Sequence, residues 1–216
     1  MDRIECFIHD MAMEGFFLST EHEVINFDKW GKGPHNILFL TGMSGGGKTT
    51  ITEKLAEKYK VEMFEIDGID YHYDASDSKI IDQIEKEMPE YAEIVRTQRI
   101  DSGNAYHIDN DLYVRIFNKA IEIMHRNYNK LYIVEGIQIY ALASEGLLEE
   151  PLIIMGTSTV TSFLRRLKRD GGGTINWKKS LKNEFIQLCR WYYNESKKFH
   201  KFKKNYGEVR KADHYG

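Results

Sequence analysis

The chain has 216 residues, 42% of them hydrophobic, and a formal net charge of −3, a size at which one α/β domain buries a substantial core. No apolar run reaches membrane-spanning length, and the opening MDRIECFIHD lacks the basic and apolar regions of a signal peptide. Two distant cysteines, Cys6 and Cys189, exclude a disulfide framework and a cysteine metal motif, so a reducing cytoplasm is expected.

Residues 1–35 form an N-terminal extension, in which GFFLST and HEVINFD read as two short strands, a β-hairpin-like unit laid over the sheet. KWGKGPHN is a loop. NILFL (36–40) is an apolar run suited to a buried parallel strand. TTITEKLAEKYK then sets Ile51, Leu55, Ala56 and Tyr59 at helical spacing, with charges opposite. KVEMFEID (60–67) is the second core strand. A polar, helix-prone stretch follows, broken near Pro89. The spacing predicts a helix over 110–126 that buries Leu112, Ile116, Phe117, Ala120, Ile121 and Met124.

KLYIVEG and PLIIMGT are the third and fourth core strands, and TVTSFLRRLKRD is a helix. DGGGTINW links it to a long last helix, WKKSLKNEFIQLCRWYYNESKKF, and the tail GEVRKADHYG. Strands alternating with helices imply a mainly parallel sheet with helices on both faces, one three-layer α/β/α domain. Residues 36–170 would be its core and 171–216 its C-terminal helix and tail. Ligands of such sheets sit at the carboxyl ends of the strands.

Three features fall at that edge. After the first core strand, Gly42, four residues, Gly47, Lys48 and Thr49 match the G-x-x-x-x-G-K-[ST] pattern of a phosphate-binding loop. In that arrangement the backbone amides of Ser44, Gly45, Gly46 and Gly47 cradle phosphates, Lys48 reaches the β and γ phosphates, and Thr49 can ligate Mg²⁺. Thr50 and the start of the helix complete an anion site. After the second strand, EIDGIDYHYD offers Asp67 as the group that accepts a hydroxyl proton, with Asp70 as its rival. Glu135 closes the third strand and can hold Mg²⁺ through water. In RRLKRD, Arg165 or Arg166 shares a helix face with Arg169, which suits a lid that clamps phosphates. His72, Arg96 and Arg99 read as structural or solvated, and His107 with Asp109 as surface.

The net charge conceals an asymmetry: residues 158–204 carry 13 Lys and Arg against 3 Asp and Glu. Solvated helix faces and phosphate-binding arginines account for it. The interleaved aromatics Trp177, Trp191, Tyr192, Tyr193 and Phe199 raise a nucleic-acid patch as the alternative, but their helical spacing favours core packing. No nucleic-acid or membrane partner is expected, and oligomerisation stays open.

Taken together and in order, GMSGGGKTT, EIDGIDYHY, IVEGI and RRLKRD resemble the P-loop small-molecule kinases, in particular the branch containing uridine kinase, phosphoribulokinase and pantothenate kinase. The resemblance covers residues of about 36–170. It implies a P-loop NTPase fold, ATP and Mg²⁺ as cofactors, and transfer of the γ-phosphoryl group to a hydroxyl of a small metabolite. By motif it assigns acceptor orientation to Asp67, metal assistance to Glu135 and lid roles to Arg166 and Arg169. The stretch between Asp74 and Asp109 matches no known acceptor site, so nucleoside, sugar and vitamin-like alcohols all remain open. The alternatives are a regulatory or nucleic-acid-associated P-loop NTPase, and a toxin-type kinase acting on an activated sugar or a macromolecule.

Overall fold

Residues Ile37–Thr41, read as ILFLT, form strand β2, and in the structure, a computed structural model, all five side chains are buried. Such a run belongs to a parallel strand covered on both faces. The structure describes residues 23–25, 30–31, 35–70, 78–98, 106–144, 152–155, 157–170, 186, 189–202 and 204. In chain order these give β1 (Glu23–Ile25), β2, α1 (Lys48–Tyr59), β3 (Glu62–Glu65) and a 3₁₀ turn (Ile66–Ile69). There follow α2 (Ser78–Glu87), α3 (Pro89–Gln98), α4 (Asn110–Arg126), β4 (Tyr132–Glu135), α5 (Ile139–Ser144), β5 (Leu152–Ile154) and α6 (Thr159–Asp170). Residues 189–202 form a last helix, α7.

The strands lie in the order β1-β5-β2-β4-β3. From β5 to β3 every pairing is parallel. This α/β arrangement is compatible with a P-loop NTPase fold. The connection from β2 leads past β4 to β3, and the one from β4 crosses to β5, so the carboxyl end of β2 is where the connections diverge. That position is the usual crevice for a ligand.

Strand pleating divides the core in two. Ile37, Phe39, Tyr132, Val134, Leu152 and Ile154 face a large cluster built with α2, α3 and α4. Leu38, Leu40, Ile133 and Ile153 face a smaller one that holds Ile51 and Tyr59 of α1, and Trp30. The predicted helix over 110–126 is α4, but its phase differs at one position: Ile123 is fully buried, whereas Ile121 only packs at the cluster's rim.

Of the N-terminal extension's two expected strands, only the second falls among the described residues. HEVINFD supplies β1, which pairs antiparallel with β5 and extends the sheet at its edge; GFFLST, DGGGTINW and the tail lie outside the described residues.

One buried amide fastens α4 to the sheet. Asn36 is 1% exposed; its Nδ2 donates to Met124 O at 2.9 Å and Lys130 O at 3.1 Å. Its Oδ1 lies 3.0 Å from His125 Nδ1. Removing one side of a buried hydrogen bond leaves the other unsatisfied, at about 1–3 kcal/mol. Asn36→Ala is expected to destabilise the protein by about that amount in urea unfolding, and a cost near zero would show that water replaces the amide.

Candidate functional site

β2 ends in the glycine loop. Gly45 has φ +82, and a Cβ there would lie 2.3 Å from Ser162 O in α6, so neither the dihedral nor the space admits a side chain. α1 then starts at Lys48 behind Gly47, with no side-chain cap, which leaves first-turn amides for another acceptor. The loop is tied from several directions. Gly46 N donates to Met43 O at 2.9 Å, and Lys48 Nζ donates to Gly42 O at 2.9 Å. Thr157 Oγ1, just past β5, donates to Gly46 O at 2.8 Å.

Below the loop lies a buried carboxylate. Residue parity puts Glu135 on the β4 face shared with Ile133, toward α1. Glu135 is 2% exposed, and it accepts from Thr49 Oγ1 at 2.6 Å and Thr52 Oγ1 at 2.9 Å. Beside it in register stands Glu65, the last residue of β3. Burial first, then the charge of Glu135, lifts the Glu65 carboxyl from its ordinary 4.5 to about 7. Burial also raises Glu135, but the two threonine hydroxyls and the Lys48 charge oppose this. Their mutual hydrogen bond pushes Glu65 up and Glu135 down, so Glu65 is the carboxyl that takes a proton more readily.

Asp67 does not end the strand; it is the second residue of the 3₁₀ turn. That turn can close onto β4 because residue 136 is glycine: a Cβ there would lie 1.9 Å from Ile66 Cγ2. Asp67 Oδ1 is buried with no hydrogen-bond partner among the described residues. Burial, and next the Asp67 charge, pushes Asp70 up from 3.8 to about 6. Tyr113 and Tyr91 close the floor, donating to Ile66 O and Ile69 O at 3.5 Å and 3.1 Å.

The arginine helix α6 packs against the loop. Arg166 Nη1 donates to Ser44 Oγ at 2.5 Å, and Arg165 Nη1 lies 3.6 Å from where a Cβ on Gly47 would stand. Arg169 is on α6, its side chain outside the described set, and Thr50 is exposed. Of the remaining candidates, Arg96 is exposed and paired with Glu93, and Asp109 caps α4 by accepting from Leu112 N. His72 and Arg99 lie outside the described residues. Sequence reasoning missed Glu65 and Thr52; the strand register would have exposed Glu65, and helical spacing from Thr49 would have exposed Thr52. It read Trp191 and Tyr192 as core aromatics, and of these Tyr192 is buried whereas Trp191 is exposed.

No family model matches the chain. A uridine kinase from Latilactobacillus sakei subsp. sakei (strain 23K) is 27% identical over 139 residues, covering 62% of this chain and 66% of that protein. The chain thus spans just under two thirds of that relative's length. The similarity supports a distant kinase-like relationship. No helix among the described residues is long and apolar enough to cross a membrane.

The raised Glu65 carboxyl fixes a pH dependence for the metal-free protein. Between pH 4.5 and about 7 the folded state keeps a proton that the unfolded chain has released, so stability falls as pH rises through that window. The melting temperature in EDTA is expected to drop across it, and Glu65→Gln to make the slope shallower while leaving the part that the raised Asp70 carboxyl contributes below about pH 6. An unaltered slope in the variant would contradict the raised Glu65 carboxyl.

Proposed function

We propose that the chain is an ATP-dependent phosphotransferase that moves the γ-phosphoryl group to a hydroxyl of a small metabolite. The observation that carries this reading is the Thr49 hydroxyl set 2.6 Å from the buried Glu135 carboxylate beneath the glycine loop. An apolar strand accepts a carboxylate there only if something offsets its burial. Two hard oxygen donors of this kind fit Mg²⁺, and the unpartnered Asp67 Oδ1 faces no competing protein donor among the described residues. The distant uridine kinase relationship supports the same reading.

Thr49 and Glu135 would hold Mg²⁺, whose chemistry is to neutralise charge on the β and γ phosphates. Loop amides from Ser44 to Gly47, with Thr50 and Arg165 at the rim, would bind the phosphates. Lys48 would exchange its loop carbonyls for the β and γ oxygens. Asp67 would orient the acceptor hydroxyl and take its proton as the acceptor oxygen bonds to phosphorus and ADP departs. Arg166 and Arg169 would stabilise the charge spread over the phosphoryl oxygens.

The test is turnover with ATP, Mg²⁺ and a panel of nucleosides, sugars and vitamin-like alcohols. Transfer to one of them is expected; hydrolysis indifferent to every alcohol would favour a regulatory or nucleic-acid-associated NTPase. Transfer only to an activated sugar or a macromolecule would favour the toxin-type kinase.

With an acceptor in hand, Lys48→Ala is expected to lower transfer by about 10²–10³, and Asp67→Asn by about 10²–10⁴ with Mg·ATP binding retained. Because Asp70 is raised to about 6, an acidic limb near that pH, absent in Asp70→Asn, would move the base to Asp70. Arg166→Ala and Arg169→Ala are expected to lower kcat more than they raise KM for ATP, since phosphoryl charge spreads only in the transition state.

A further inference from the structure

Arg166 is gripped from a part of the chain beyond the segment that carries the kinase resemblance. Its guanidinium carbon lies 5.9 Å from the ring centroid of Trp191 on α7, while its Nη1 holds Ser44 Oγ. The next residue, Tyr192, is 3% exposed, and its hydroxyl donates to Ser44 O at 2.8 Å. Its ring packs edge-on against Phe163 of α6, 5.3 Å between centroids. Helix α7 therefore touches both halves of one contact: the loop backbone through Tyr192 and the guanidinium through Trp191. Trp191 itself is 40% exposed, so it adds little to the core.

Resting on the phosphotransferase reading, we propose that Trp191 and Tyr192 are positioning residues for the transfer, holding Arg166 over the second residue of the glycine loop's variable stretch. A long side chain pinned by a ring face and a hydroxyl has given up most of its rotamer freedom before substrate arrives. A small misplacement of such a group is costly in rate rather than in affinity. Ser44 Oγ occupies Arg166 until phosphate oxygens replace it, so donor binding changes what lies over the Trp191 ring.

The experiment has a binding arm and a rate arm. Mg·ATP is titrated into the full chain with tryptophan emission recorded, and Trp191→Phe identifies the share due to Trp191 among the 3 tryptophans. A saturable change is expected in the wild type and in Trp191→Ala neither that component nor full turnover. Trp191→Ala should lower kcat about 10–100-fold with KM for ATP nearly constant, and Trp191→Phe, which keeps a ring face, should recover most of it. Tyr192→Phe tests the Ser44 O bond without emptying the core and should lower kcat in the same sense. Tyr193→Ala, at a position 59% exposed with Lys197 over its ring, should retain wild-type kcat. If wild-type protein binds and turns over Mg·ATP but Trp191→Ala and Tyr192→Phe keep wild-type kcat, the positioning role is overturned and the kinase reading stands. Wild-type protein that neither binds nor turns over Mg·ATP overturns the kinase reading, and this role with it.

Discussion

A carboxylate 2% exposed at the end of an apolar strand is the constraint around which the rest is arranged. Burying an ion costs several kcal/mol unless partners compensate. Glu135 obtains two hydroxyls from α1 and, from β3, a neighbouring carboxyl whose affinity for a proton is raised. That compensation requires α1 to start where it does, immediately behind the glycine loop, and requires β3 to stand in register with β4. Gly136 then lets the chain after β3 fold back as a 3₁₀ turn, bringing Asp67 and Asp70 to the same edge. Loop, helix start and acidic turn meet because each touches this one side chain or its neighbour.

The loop is not left to hold its own shape. Gly45 nests against the α6 backbone, Thr157 takes Gly46 O, and α7 takes Ser44 O. Three segments beyond β4 in the sequence thus set the geometry of a turn near the start of the sheet. A site that depends on orienting phosphates gains from such rigidity, because ordering the loop at the moment of binding would subtract from affinity.

Much of this was legible in the sequence. β2, β4 and β5 are mostly apolar runs bounded by loop residues, β3 reads EMFE, and α4 shows its apolar face by spacing alone. What escaped detection has physical reasons. α5 spans only Ile139–Ser144, too short for a helical period to emerge from an apolar hexamer. Ile121 and Ile123 both read as apolar, and only packing against α2 and α3 decides which one is covered. Asp67 looks like the last residue of a strand because a 3₁₀ turn of 4 residues is too short for its three-residue period to show. Glu65 is a charge in a strand whose partner is 70 residues away, and the roles of Trp191 and Tyr192 exist only after α7 docks.

The most direct test of the central assignment, a metal-dependent nucleotide site built on Thr49 and Glu135, is calorimetric titration of ATP with Mg²⁺ and with EDTA into wild-type protein and Thr49→Val. One ATP per chain should bind, markedly tighter with Mg²⁺, and the metal dependence should vanish in the variant. Binding that ignores Mg²⁺, or a variant that keeps the full metal dependence, would contradict it.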